Sequence, residues 1–316
     1  MKTFSERLTD AIRRTGNPTV MGLDPMLSYL PDDLLRWFLE QTDDPQLAAG
    51  LAIFEFNRRL IDQVSDLIPA VKPQLAYYEQ YGLPGIDALR RTIEYAREKG
   101  LLVIADGKRN DIGSTAEAYA RAWLGETTWS GHLTKAVFAA DALTVNAYLG
   151  SDGVTPFSQV CAEKGKGLFV LVRTSNPSAG ELQDLRLEDG RTVYQAMADQ
   201  VSRWGEALTG PDGYSAIGAV VGATWPRQAA ELRGRMHRAW ILVPGYGAQG
   251  GSADDTMPNF QPDGLGAIVN ASRSLMCAWQ RHDMPHEQFD LAARREAIAM
   301  RDALTRALAK RGGHTL

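Results

Sequence analysis

Short runs of consecutive apolar residues recur along the chain, separated by longer stretches in which apolar and polar residues alternate at helical spacing. The runs cover residues 19–23, 70–76, 101–105, 142–145, 168–172, 217–221, 239–243 and 267–269. Continuous apolar runs of roughly four to seven residues suit strands buried on both faces, and strands that alternate with helices imply parallel connections. The pattern predicts an α/β fold, a (β/α)8 TIM barrel. The intervening helices are predicted over 51–67, 85–99, 114–124, 155–164, 193–209 and 225–236. Segments 30–49 and 281–310 read as additional helices, residues 311–316 as a polar tail, and 178–192 as a polar surface insertion. No repeat or linker divides the chain, so residues 1–316 are expected to form one barrel domain.

Composition narrows the class without changing the fold. The 316 residues are 44% hydrophobic and 23% charged, ordinary values for a globular protein. A formal net charge of −4 offers no basic field for a nucleic-acid polymer, so an anionic small molecule would need positive charge placed locally. Residues 1–16 mix charged and apolar positions in helical style, which predicts neither a signal peptide nor a membrane span. The only cysteines, Cys161 and Cys277, have no metal-type spacing, and a reducing cytoplasm fits them.

In a barrel, chemistry collects where strands end at their C-terminal side, so the residues following each run are the informative ones. Asp24 follows the first run and Lys72 lies within the second. Asp106, Lys108 and Asp111 follow the third, Asn146 the fourth, Thr174 and Ser175 the fifth, and Arg273 the eighth. In Asp106-Gly107-Lys108-Arg109-Asn110-Asp111, strand geometry would turn Asp106 and Lys108 to the same side, into the mouth. A plain charged turn, with Asp111 or Ser114 capping the next helix, is the alternative. Lys72 weighs against that alternative, because an ammonium inside an apolar run needs an anion to meet it, unless it snorkels out.

The loop Pro244-Gly245-Tyr246-Gly247-Ala248-Gln249-Gly250-Gly251 offers bare backbone amides. With Arg273 it fits a phosphate grip after strands seven and eight, although a flexible loop beside a surface arginine remains open. His282 and His286 read as a helix start rather than a metal pair, and Ser175 has no histidine partner that would make it a nucleophile.

Taken together, Gly22-Leu23-Asp24-Pro25, Val71-Lys72-Pro73-Gln74, Ala105 to Gly113, Thr144 to Gly150, Arg173 to Pro177, Val220 to Thr224, Pro244 to Gly251 and Asn270 to Arg273 closely resemble the orotidine 5'-phosphate decarboxylase family, in particular its longer bacterial branch. The resemblance implies decarboxylation of orotidine 5'-phosphate to uridine 5'-phosphate (UMP) and carbon dioxide without cofactor or metal. It implies a homodimer in which Lys72, Asp106, Lys108 and Asp111 alternate in charge and Asp111 reaches the neighbouring subunit's site. Lys108 would protonate C6, and Asp106 would lie near the departing carboxylate. By the same resemblance Asp24 and Thr115 would meet ribose hydroxyls, Ser175 the pyrimidine edge, and Gln249 and Arg273 the phosphate. The loop carrying Gly245, Tyr246, Gly247 and Gly250 would close as a lid, and Asn146 and Thr174 fall among the substrate-binding positions.

The family usually has glycine where Asn110 stands, and this branch often has proline at Ala147. Asn110 would tolerate a left-handed backbone there. Two rivals share parts of this pattern. One is a magnesium-dependent enzyme acting on sugar phosphates through a similar Asp-x-Lys-x-x-Asp motif, and the other is a binding protein that keeps only the phosphate grip.

Overall fold

The computed structural model describes residues 1–247 and 250–312. Strands β1 (Thr19–Leu23), β2 (Ala70–Pro73), β3 (Leu102–Arg109), β4 (Ala142–Val145), β5 (Gly167–Arg173), β6 (Ser215–Val221), β7 (Ala239–Val243) and β8 (Ala267–Ala271) pair in parallel in chain order, and β8 returns to β1. The expected TIM barrel is therefore present. The run at 70–76 is shorter as a strand because Pro73 ends it and a one-turn helix, Ala76–Glu79, follows. The run at 101–105 is longer because β3 continues through its charged end to Arg109.

Both of the expected extra helices take a different form. Segment 30–49 is broken, with a helix at Asp32–Leu39 and a second at Pro45–Val64. The break is local chemistry: Asp44 caps the second helix by accepting from the Gln46 amide at 2.9 Å, and Pro45 occupies its first position. At the other end the helix begins at Phe289 and runs to Lys310. It is the outer helix that follows β8, stacking Phe289 on Phe56 of Pro45–Val64 at 4.5 Å between ring centres, so it completes the ring rather than adding to it.

The N-terminal helix α1 (Phe4–Thr15) does add to the barrel. Its N-terminus is fixed by a capping box between Thr3 and Glu6. Phe4, Leu8 and Ile12 are buried under the barrel with Ile104, Phe169 and Trp240, and Phe4 meets Phe169 edge-on at 5.9 Å. A hairpin of Thr127–Ser130 and Leu133–Lys135, mostly exposed, was not expected: its exposed residues carry no apolar alternation that would announce a strand.

Alternation along the strands explains what lies at the other end. Ala70, Ile104 and Ala142 belong to the interior cluster, so Lys72, Asp106 and Thr144, two residues further on, point into the barrel above them. On the opposite side Leu171, Val220 and Leu242 hold equivalent inward positions, and all six line one cavity at the C-terminal mouth. The cavity floor is thus charged beneath β2–β4 and apolar beneath β5–β7.

Candidate active site

The mouth cavity has a volume of about 650 Å³, room for a nucleotide. Its centre is the carboxylate of Asp106. One oxygen accepts from Lys72 Nζ at 2.7 Å and Gln74 Nε2 at 3.1 Å; the other accepts from Lys108 Nζ at 2.7 Å and the Thr144 hydroxyl at 2.8 Å. Four donors fill the acceptor positions of an ionised carboxylate. Burial works against charge on Asp106, but the ammonium groups of Lys72 and Lys108 outweigh it and hold the carboxyl well below its usual range. Burial likewise works against charge on Lys72, yet the carboxylates of Asp106 and Asp24 raise its pKa above the ordinary lysine value. Lys72 is therefore paired and buried, not snorkelling. Lys108 differs from it in one respect: its side chain remains 45% exposed, facing the cavity.

Lys108 and Asp106 share a site, as strand alternation predicts, but the strand is not regular there. Pairing between β3 and β4 slips between Ala105 and Arg109, and Lys108 has φ 45°, the left-handed region. Such a conformation in a lysine is held by its surroundings. Asn110, by contrast, does not have the positive φ that its replacement of a glycine suggested. The unusual backbone sits two residues earlier.

The remaining expected residues divide. Asp24, Thr174, Ser175, Gly245, Tyr246 and Arg273 line the cavity. One oxygen of Asp24 is buried with no hydrogen-bond partner among the described residues, which leaves it available to a ligand hydroxyl. Ser175 packs so tightly over β6 that a Cβ at Gly222 would lie 2.9 Å from its own. Asp111, Thr115 and Asn146 do not line this cavity. Asn146 is exposed and its side-chain oxygen accepts from the Tyr148 amide at 3.1 Å, so it shapes a turn. Asp111 and Thr115 flank the start of helix Gly113–Trp123, whose N-cap residue is Ile112; the Asp111 carboxylate accepts the Ile112 amide at 2.9 Å.

Gln249 lies outside the described residues. Within the loop around it, Gly245, Gly247 and Gly250 have φ of 95°, 70° and 92°, which explains the glycines. The amides are not bare, however. Gly247 N–H donates to Gly251 O at 2.8 Å, Gly250 N–H to Gly247 O at 2.9 Å and Gly251 N–H to Gly245 O at 3.2 Å, so the loop spends these donors on its own turn. Gly247 and Gly250 do not reach the cavity.

Sequence reasoning missed three neutral contributors: Gln74, Thr144 and Gln183. Gln183 comes from the polar insertion. Its side-chain oxygen accepts the Thr174 amide at 3.0 Å and its nitrogen donates to the Thr174 hydroxyl at 2.7 Å. Trp225 Nε1 donates to the Thr174 carbonyl at 2.9 Å and packs on buried Arg173, so the Thr174–Ser175 turn is gripped from both sides. His282 and His286 part company: His282 meets Glu296 and His286 meets the Tyr29 carbonyl, each at 3.0 Å.

Comparison with known proteins agrees with this geometry. A curated relative from Rhodopirellula baltica, named orotidine 5'-phosphate decarboxylase, is 47% identical over 293 residues, 93% of each chain. A relative of the same name from Caldicellulosiruptor saccharolyticus is 38% identical over 98% of this chain and its whole length. Among solved structures, a candidate orotidine-monophosphate decarboxylase from Toxoplasma gondii superposes with a TM-score of 0.80 at 29% identity, covering 98% of this chain and 99% of its own. A family model described as orotidine 5'-phosphate decarboxylase / HUMPS family matches residues 44–280. On relatives that match nearly end to end and a family model that spans the whole acid and lysine constellation, the chain belongs to the orotidine 5'-phosphate decarboxylase / HUMPS family.

Proposed function

We propose that this protein converts orotidine 5'-phosphate to UMP and carbon dioxide, the last step of de novo UMP synthesis, with Lys108 as the proton donor. The observation that carries the reading is the pairing of both Lys72 and Lys108 with Asp106 at the cavity, Lys72 buried and Lys108 open to it with 45% of its side chain exposed. Loss of carbon dioxide from C6 of the pyrimidine leaves a carbanion that the ring delocalises poorly, so the stabilising charge must already be in place. The Lys108 ammonium supplies that charge and then the proton. Asp106 faces the leaving carboxylate. Two like charges about 4 Å apart repel by about 4 kcal/mol at an effective dielectric near 20, and departure of carbon dioxide relieves this. The apolar floor of Leu171, Val220 and Leu242 suits neutral carbon dioxide better than a carboxylate.

In this reading Asp24 binds a ribose hydroxyl, Ser175 the pyrimidine edge and Arg273 the phosphate with Gln249. Asp111 reaches the neighbouring subunit's site in a homodimer, and Thr115 meets a ribose hydroxyl there. Both stand outside their own cavity, and beside Asp111 the chain exposes Ile112, Tyr148 and Leu149, apolar side chains that a second copy would cover. Residues 1–316 form one barrel domain. Among the described residues no helix is long and apolar enough to cross a membrane, and Cys161 and Cys277 are buried and unpaired, which supports placement in the cytoplasm.

The family description also covers HUMPS, and a magnesium-dependent sugar-phosphate reaction is the rival. Lys72 stands against it, since its ammonium takes the Asp106 oxygen that a divalent ion would use. The test is loss of orotidine 5'-phosphate absorbance in chelator without added cofactor. Rapid conversion to UMP is expected. No conversion by folded protein, or conversion only with magnesium, overturns the reading.

A further inference from the structure

Thr144 occupies an inward position on β4, 1% exposed, between the two groups that do the chemistry. Its hydroxyl accepts the backbone N–H of Lys108 at 2.9 Å and donates to Asp106 at 2.8 Å. A hydroxyl has one proton, so accepting the amide leaves that proton for the carboxylate and fixes the direction of both bonds. These bonds fall where β3 departs from regular pairing with β4 and where Lys108 has its left-handed φ of 45°. Lysine disfavours this conformation, so something must hold it, and the Thr144 bond is attached to the strained residue itself.

We propose that Thr144 is a positioning residue for the proton transfer. It pins the bulge that carries Lys108 and, through the same oxygen, fixes the carboxylate against which the Lys108 ammonium rests. Losing the hydroxyl releases the amide. Lys108 can then relax toward ordinary strand geometry, which turns its side chain away from the reacting carbon without altering the surfaces that bind ribose and phosphate.

This inference rests on Lys108 being the proton donor. Thr144→Val keeps the shape and removes both bonds, whereas Thr144→Ser keeps both. The valine variant is expected to lose roughly 30- to 100-fold in kcat, the scale of a 1 Å misplacement, with KM and UMP affinity within about threefold of the parent. The serine variant is expected to recover nearly all of kcat. A valine variant with parental kcat, or one that loses UMP affinity as much as kcat, overturns the assignment. Should the valine variant fail to fold, Thr144→Ala against Thr144→Ser carries the same comparison, and equal kcat for those two also overturns it. Parental turnover in Lys108→Ala would instead remove the underlying reading.

Discussion

Two buried aspartates, one at each end of the barrel, sit between pairs of cations, and their fates differ. At the N-terminal end Asp141, just before β4, pairs with Arg7 at 2.6 Å and Lys166 at 3.6 Å and accepts the Val103 amide at 3.0 Å. At the mouth Asp106 pairs with Lys72 and Lys108, both at 2.7 Å. The ingredients are nearly the same. Around Asp141 the cations tie helix α1 and the start of β5 to the barrel, and burial depresses the Lys166 pKa. Around Asp106 one ammonium is buried and keeps its charge while the other meets an open cavity. A buried ion cluster is therefore no sign of catalysis by itself; the cavity-facing cation is what separates a rivet from a reagent.

The sharpest way to break this comparison is to remove that cation. Lys108→Ala should lower turnover by at least about 10⁴-fold, since it deletes both the charge beside C6 and the proton donor. UMP binding, followed by calorimetry, should survive, because Asp24 and Arg273 are untouched. Turnover close to parental would place Lys108 with Arg7 and Lys166 as scaffold.

The converse experiment addresses the rivet. Asp141→Ala leaves two cations without their anion and the Val103 amide without an acceptor, and should cost about 3 kcal/mol of stability in urea unfolding. The kcat of the folded fraction should not change. A fall in kcat at unchanged stability would mean that the two ends are coupled through β3 and β4, which Asp141 and Thr144 both bridge.

The difference between the two clusters was partly legible in the sequence. Lys72 and Asp106 betrayed themselves because charge inside or directly after an apolar run demands a partner. Asp141 also abuts such a run, but at its N-terminal side, where barrel geometry predicts scaffold. Thr144, Gln74 and Gln183 were not legible as contributors, because a neutral side chain near a strand carries no comparable cost and its partners are remote in sequence. The bulge at Lys108 was hidden for a related reason: the residue type argues against a positive φ, and only the tertiary bonds impose it. Asn110 invited that conformation on local grounds and does not adopt it. The loop Pro244 to Gly251 offers its amides to a ligand on local grounds, but those of Gly247, Gly250 and Gly251 are used by its own turn. Asn146 followed the right strand yet faces outward into its own turn, a distinction that depends on where β4 ends.

The mildest test concerns the wall opposite the charges. Gln183 holds the Thr174 amide and hydroxyl with one neutral carboxamide, and Ser175 follows directly. Gln183→Met preserves length and volume and removes both bonds, along with the longer one from Arg173 at 3.4 Å, while Trp225 still grips the Thr174 carbonyl. A neutral hydrogen bond contributes about 1 kcal/mol net, so loosening this turn should raise KM by about three- to tenfold and leave kcat within about twofold. The loss should appear in UMP affinity and be absent for ribose 5-phosphate, which has no base for Ser175 to read. Equal weakening of both ligands would show that Gln183 supports the whole mouth, and the contrast between a wall that recognises and a wall that reacts would have to be redrawn.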